Sequence, residues 1–218
     1  MDPVHLPQSL KVLYEDGRLI AVDKPAGLTV IPARLPGEGI PLVEIVSKHI
    51  GQKAYVVHRL DRETSGIVLF AKDALAHREL SLQWENRKVG KFYRAVVQGT
   101  FSQPEGTMDF PIKAFGSGRM GVNDKGKPSQ TRFRILEKLG SSTLLEVEPL
   151  TGRRHQIRVH LFHMGHPVLG DPLYGKDRPV GGVSRLMLHA CQLVLLFENK
   201  EIKLFCEPGE DFMGLPRM

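Results

Sequence analysis

The sequence predicts an α+β fold: a central mixed, mainly antiparallel sheet flanked by a few helices. Three observations carry this. Strand patterns outnumber helical ones, turn residues separate them, and no regular βαβ alternation runs through the 218 residues. Hydrophobic residues at 41% and charged residues at 25% are the balance of an ordinary globular chain, long enough to bury a core without staples. One domain over 1–218 is the expectation, with 1–10 as a loose N-terminal segment. Two cysteines, Cys191 and Cys206, and no CxxC pair exclude a disulfide scaffold and a cysteine-based zinc site. The sequence shows neither a signal-peptide pattern nor a run of about 18 apolar residues, so a cytoplasmic protein with no membrane partner is expected.

The elements follow in order. Residues 19–23 (LIAVD) alternate as a short strand and break at Lys24-Pro25-Ala26-Gly27. Leu42, Ile45, Val46 and Ile50 recur at helical spacing after a Pro/Gly loop over 32–41. Residues 55–57 and 66–71 read as buried strands on either side of a polar loop. Asp73 suits the N-cap of a helix running through Val89, with Arg87, Lys88 and Gly90 as its C-terminal chemistry. Strands at 91–98, 131–135 and 143–147 precede a helix over 153–164. Strands at 186–190, 193–197 and 201–206 close the chain, the last two as a hairpin turning at Asn199-Lys200.

The charge is unevenly spread. Thirty Lys and Arg stand against 24 Asp and Glu, a net of +6. Between residues 113 and 134 six basic residues (Lys113, Arg119, Lys125, Lys127, Arg132, Arg134) face Asp124 alone, a local net of +5. Residues 198–211 carry a net of −3. A one-sided basic surface attracts polyanions over a Debye length of about 8 Å.

Three segments have the residue types of a reaction site. In His58-Arg59-Leu60-Asp61-Arg62-Glu63-Thr64-Ser65-Gly66, a polar loop sits between two apolar strands. Arg59 and Arg62 flank Asp61 and favour its charged form, and Gly66 permits a sharp re-entry into the strand. Alone, this loop reads as a structural turn holding an Arg–Asp pair. The second segment is Thr151-Gly152-Arg153-Arg154-His155-Gln156-Ile157-Arg158-Val159-His160. If its helix starts at Arg153, Arg154 and Arg158 share one face and offer guanidiniums to a carboxylate or to phosphates. The third, 165–175 (GHPVLGDPLYG), has glycines where an ordered loop must turn.

Taken together and in this order, these segments resemble the RluA family of RNA pseudouridine synthases. HRLDRETSG looks like the catalytic motif, KFYRAVVQG the tyrosine-bearing strand and TGRRHQIRVHL the arginine helix. GHPVLGDPLYG followed by LMLHA matches the closing elements, and DKPAGLTV the opening one. The resemblance runs from about Leu19 to Glu207. On this resemblance the expectation is the short form, without an N-terminal S4-type RNA-binding domain.

The resemblance implies site-specific isomerisation of uridine to pseudouridine in structured RNA, ribosomal RNA of the large subunit, transfer RNA, or both. It also implies the pseudouridine synthase fold, with an active-site cleft across the sheet. The N1–C1′ bond breaks, the uracil turns over, and C5 joins C1′ without redox change, so the expectation is no cofactor and no metal. Asp61 is the implied essential anion, acting at C1′, at C6, or as a base on the sugar. Arg158 is implied as its ion-pair partner, Tyr93 as the ring that stacks on the uracil, and Leu188 (or neighbouring Leu186) as an apolar wall. Arg59 matches the arginine that refills the helix when the nucleotide flips out; on its residues alone it is a phosphate contact or a second partner for Asp61. Arg62, Arg154, Lys125 and Lys127 complete the expected RNA-binding set, the two lysines on a flexible loop over 115–128 that touches phosphates. His155, His160, His163 and His166 crowd together without a cysteine or HExxH; the expectation is structural histidines rather than metal ligands. A monomer is expected. The rival readings are an idle RNA-binding or ribosome-assembly protein of the same fold, a metal-dependent hydrolase using the histidines, and an enzyme acting on free nucleosides.

Overall fold

The computed structural model describes residues 10–32, 39–116, 118–175 and 183–213. The N-terminal segment expected to be loose lies outside them apart from Leu10, as does most of the 32–41 loop. In chain order the first elements are β1 (Val12–Glu15), β2 (Leu19–Lys24), α1 (Leu42–Ile50), β3 (Tyr55–Val56), β4 (Ser65–Ala71) and α2 (Ala74–Glu85). Then come β5 (Gly90–Gln98), β6 (Glu105–Asp109), β7 (Ile112–Ala114), β8 (Met120–Val122), β9 (Gln130–Leu139) and β10 (Ser142–Pro149). α3 (Gln156–His163), β11 (Leu188–Phe197), β12 (Lys200–Phe205) and the single turn α4 (Glu210–Met213) finish the chain. The elements group into two compact units. One holds the described residues up to Val89 with Ala190–Glu207, the other Gly90–His189 and those from Pro208 on.

In the first unit β4 is the central strand: every residue of SGIVLFA is buried. β2 pairs along its length (Leu19↔Ala71 to Lys24↔Gly66) and β3 pairs its far end (Tyr55↔Ala71, Val56↔Phe70). β1 extends β2, and β12 pairs β11 from Gln192↔Phe205 to Phe197↔Lys200. Gly66, at φ +110, opens β4; a Cβ there would run into the carbonyl of Ala190 on β11, so only glycine fits both its dihedral and its space. Leu19, Ala21, Ile67, Leu69, Leu80, Leu193 and Leu195 form the core of this unit. α2 packs on it with Ala76 and Leu80 and is capped, as expected, by Asp73, whose carboxylate accepts the amides of Leu75 and Ala76.

In the second unit β5, β10, β9 and β6 lie side by side and antiparallel. β7 and β8 form a separate hairpin. The core draws on Ala95, Val97, Leu145, Val147, Ile157, Leu161, Leu186 and Met187.

Four expectations are corrected. α2 stops at Glu85, not Val89: Asn86 turns its side-chain amide back to the Leu82 carbonyl and Arg87 takes a left-handed φ of 56°. α3 starts at Gln156, not Arg153, because His155 is itself left-handed (φ 56°); Arg154 therefore precedes the helix and shares no helix face with Arg158. The stretches 186–190 and 193–197 do not form two strands; one strand, β11, runs unbroken from Leu188 to Phe197. The hairpin turns at Glu198-Asn199, both at positive φ (49° and 61°), the geometry a tight two-residue loop demands.

Candidate functional site

The expected site residues divide between the two units. Asp61, Arg59 and Arg62 belong to the first; Tyr93, Lys125, Lys127, Arg154, Arg158 and Leu188 belong to the second.

Asp61 is half-buried at the head of a turn closed by a hydrogen bond from the Thr64 amide to its carbonyl (3.1 Å). What fixes this loop is Lys24, which the sequence reading passed over. Its ammonium is fully buried at the end of β2 and donates to the carbonyls of Pro25, Leu28 and Arg62 (2.8, 2.8 and 2.9 Å). The Gly27 amide donates to the same Arg62 carbonyl (2.9 Å), and Arg62 Nε returns a bond to the Gly27 carbonyl (3.1 Å). A buried charge is tolerable only when hydrogen-bonded, so this lysine staples the DKPAG turn to the Asp61 turn. Lys before Pro in that opening motif was the available signal. Arg59 and Arg62 are exposed beside Asp61. His58 has a structural part: its Nε2 accepts the Leu69 amide (3.0 Å) and its ring stacks on Trp84 (4.8 Å).

Arg158 is buried on α3. Its Nε and one terminal nitrogen grip both oxygens of Asp171 (2.7 and 2.8 Å), and the guanidinium lies 5.2 Å from the Tyr174 ring. Asp171 also accepts the amides of Leu173 and Tyr174 (2.8 and 3.0 Å). Burial alone would push this carboxyl up; Arg158 and the two amides outweigh it and hold it below the usual carboxylate range. The Tyr174 hydroxyl is pinned by His155 Nδ1 (2.9 Å) and the Met120 amide (3.2 Å), and burial pushes its pKa up. Asp171 and Tyr174 stood in the GDPLYG motif, read from the sequence only as a loop.

The start of α3 is set by Gln156. Its carbonyl accepts the Thr151 hydroxyl and the Arg153 amide, while its amide nitrogen donates to the Gln130 carbonyl and Thr131 Oγ1. Thr131 Oγ1 in turn bonds His160 Nδ1 (2.9 Å), and His160 Nε2 reaches the Phe110 carbonyl (2.9 Å). Burial holds that imidazole below its ordinary value, so it is neutral near pH 7 and donates from Nε2. His166 Nδ1 pairs with the Gln98 carbonyl. Among the described residues, no group of three or more His, Cys, Asp or Glu is placed to hold a metal.

Tyr93 sits on β5 opposite Val147 and packs, half-buried, against the cluster that contains Leu186, Met187 and Leu188. Both candidate leucines are buried there. Lys125, Lys127 and the exposed Arg154 come together, although the basic run over 113–134 does not contain Arg154. With Lys113 and Arg153 they line a surface hollow of about 450 Å³. The loop itself departs from expectation. Residues 115–128 contain β8, and Ile112 and Lys127 exchange backbone hydrogen bonds (3.0 and 2.9 Å), so paired backbone runs through what glycine and lysine content made read as flexible.

Comparison with known proteins adds the following. The model of a family described as RNA pseudouridylate synthase matches residues 18–163. The ribosomal large subunit pseudouridine synthase D of Nitrosomonas europaea is 41% identical over 94% of this chain and 63% of its own length. The dual-specificity RNA pseudouridine synthase RluA of Yersinia pestis is 38% identical over 84% of this chain and 91% of its own. The chain thus spans less than two thirds of the first of these relatives. Among solved structures, human RNA pseudouridylate synthase domain containing 1 superposes with a TM-score of 0.78 at 27% identity, over 96% of this chain and 87% of that one.

Proposed function

This chain belongs to the RNA pseudouridylate synthase family, and on that premise we propose that it isomerises uridine to pseudouridine in structured RNA, in large-subunit ribosomal RNA, transfer RNA, or both. The observation that carries the proposal is the Asp61 turn: a half-buried carboxylate, flanked by exposed arginines, on a loop locked by the buried Lys24 ammonium. A fixed anion is what the reaction needs. The N1–C1′ bond breaks, the uracil stays and rotates, C5 bonds to C1′, and the C5 proton leaves while N1 gains one. No electron is transferred, so the chemistry calls for no redox cofactor, and we propose a monomer acting without cofactor or metal in the cytoplasm, where these RNAs are met.

In this reading Asp61 supplies the anion and Arg158 pairs with it. Arg158 has the rigidity for such a role, because Asp171 and the Tyr174 ring fix its guanidinium. Tyr93 stacks on the uracil and Leu188 walls the pocket. Arg59 refills the stack behind the extruded nucleotide, which otherwise costs a few kcal/mol. Arg62, Arg154, Lys125 and Lys127 hold the RNA.

Tritium release from RNA labelled at uridine C5 tests this, with wild type and Asp61→Asn compared on unmodified ribosomal and transfer RNA. Release by wild type only is the expected result. Release by both would remove Asp61 from its role. Release by neither, with tight salt-sensitive binding, would leave an RNA-binding protein without the reaction.

A further inference from the structure

The β7–β8 hairpin has a basic hollow and an aromatic one, and only the first is absorbed by the proposed function. The second, of about 480 Å³, is lined by Phe115, Arg119, Met120, Phe162, His163 and Tyr174 among others. Met120 borders both hollows. Phe115 and Phe162 are each 45% exposed, unusual for phenylalanines that have a core available nearby. Their placement is built into the fold. The Phe115 ring lies against Gly121 of β8, where any Cβ would collide with the ring, and the Phe115 amide bonds the Arg119 carbonyl (2.9 Å) to close the turn. The Arg119 guanidinium lies over two rings, 5.0 Å from Tyr174 and 5.6 Å from Phe162.

We propose that this aromatic hollow binds an unpaired nucleobase of the RNA substrate other than the target uridine, while the neighbouring basic hollow carries the backbone. Charge argues for RNA as the occupant: Lys113, Lys125, Lys127, Arg153 and Arg154 line the adjoining hollow, and Arg119 stands in the aromatic one. Exposed ring faces beside cations are the chemistry that captures splayed-out bases, whatever the base, because every base offers a π-face. The inference rests on the RNA reading of the preceding subsection but not on the isomerisation.

The test measures dissociation constants for a stem-loop RNA with an unpaired loop and for a fully paired duplex of equal length, with wild type, Phe115→Ala, Phe162→Ala and Arg119→Gln. Each phenylalanine variant should bind the stem-loop roughly 5- to 150-fold more weakly and the duplex as wild type does. Phe162→Tyr, which keeps the ring, should restore stem-loop binding and so separates lost stacking from lost folding. Equal stem-loop affinity across all variants, with C5-tritium release intact in wild type, would overturn the hollow and leave the proposed function standing. Ring-dependent binding without tritium release by wild type would keep the hollow and sink the isomerisation. A loss equal for stem-loop and duplex would mean that no unpaired base is held, and would overturn the proposal.

Discussion

Asp171 shows how much can hang on one side chain. It accepts four N–H groups, two of them from a guanidinium buried with it, and its own side chain has no exposed surface. Removing one partner of such a pair leaves the other charge desolvated and alone, which costs about 3–5 kcal/mol. Asp171→Ala is therefore expected to lower the melting temperature by about 6–20 °C for a chain of this size, as read by thermal unfolding. The pair also fixes a pH dependence. Asp171 titrates lower folded than unfolded, so its contribution is fully present above the unfolded value, about 3.9, and is lost as pH falls through the folded one. Acid unfolding of wild type should therefore be steeper below about pH 4 than that of Asp171→Asn. The sequence could not reveal this residue, because GDPLYG has the composition of any tight loop and the partner lies 13 positions upstream.

At the scale of elements, what was legible depended on whether the deciding signal was local. The start of α2 was legible because an aspartate N-cap acts on the next three residues. Asp73 accepts two helix amides and is also held by Arg18 Nε (2.6 Å), whose hydrogen bond keeps the carboxyl below its usual range. Asp73→Ala should cost about 1 kcal/mol of stability, measured by denaturant unfolding; an unchanged midpoint would show that the cap carries no weight. The start of α3 was not legible in the same way. Ile157 and Leu161 fit a helix from Arg153 onward, yet Gln156 ties the chain to β9 through Gln130 and Thr131, some 25 residues away, and His155 takes the left-handed turn that results. The sequence pattern splits β11 because Cys191-Gln192 interrupts the apolar alternation, although the strand runs unbroken from Leu188 to Phe197 and pairs β12 from Gln192 onward. β7 and β8 went unseen because glycine and lysine content hides strands whose stability comes from pairing rather than propensity.

For the whole molecule, the modest net charge of +6 matters less than where the cations gather. The sequence placed a local excess between 113 and 134; the structure adds Arg153 and Arg154 to it from across the second unit, which no linear window contains. The motif order was enough to identify the catalytic candidates, since each motif is short and self-contained. The basic hollow of the second unit, by contrast, had to be assembled by folding. Its five cations predict a measurable behaviour. Each phosphate neutralised releases condensed counterions, so log affinity falls with log salt by about 0.7–0.9 per contact. Lys125→Ala combined with Lys127→Ala should reduce that slope by about 1.4–1.8 and weaken binding to different RNA sequences to the same extent, because phosphate contacts read no bases. Titrating wild type and the double variant against two unrelated stem-loops between 50 and 300 mM salt decides it. Parallel slopes would place the phosphates elsewhere on the surface, whereas a loss confined to one RNA would make these lysines readers of sequence rather than of charge.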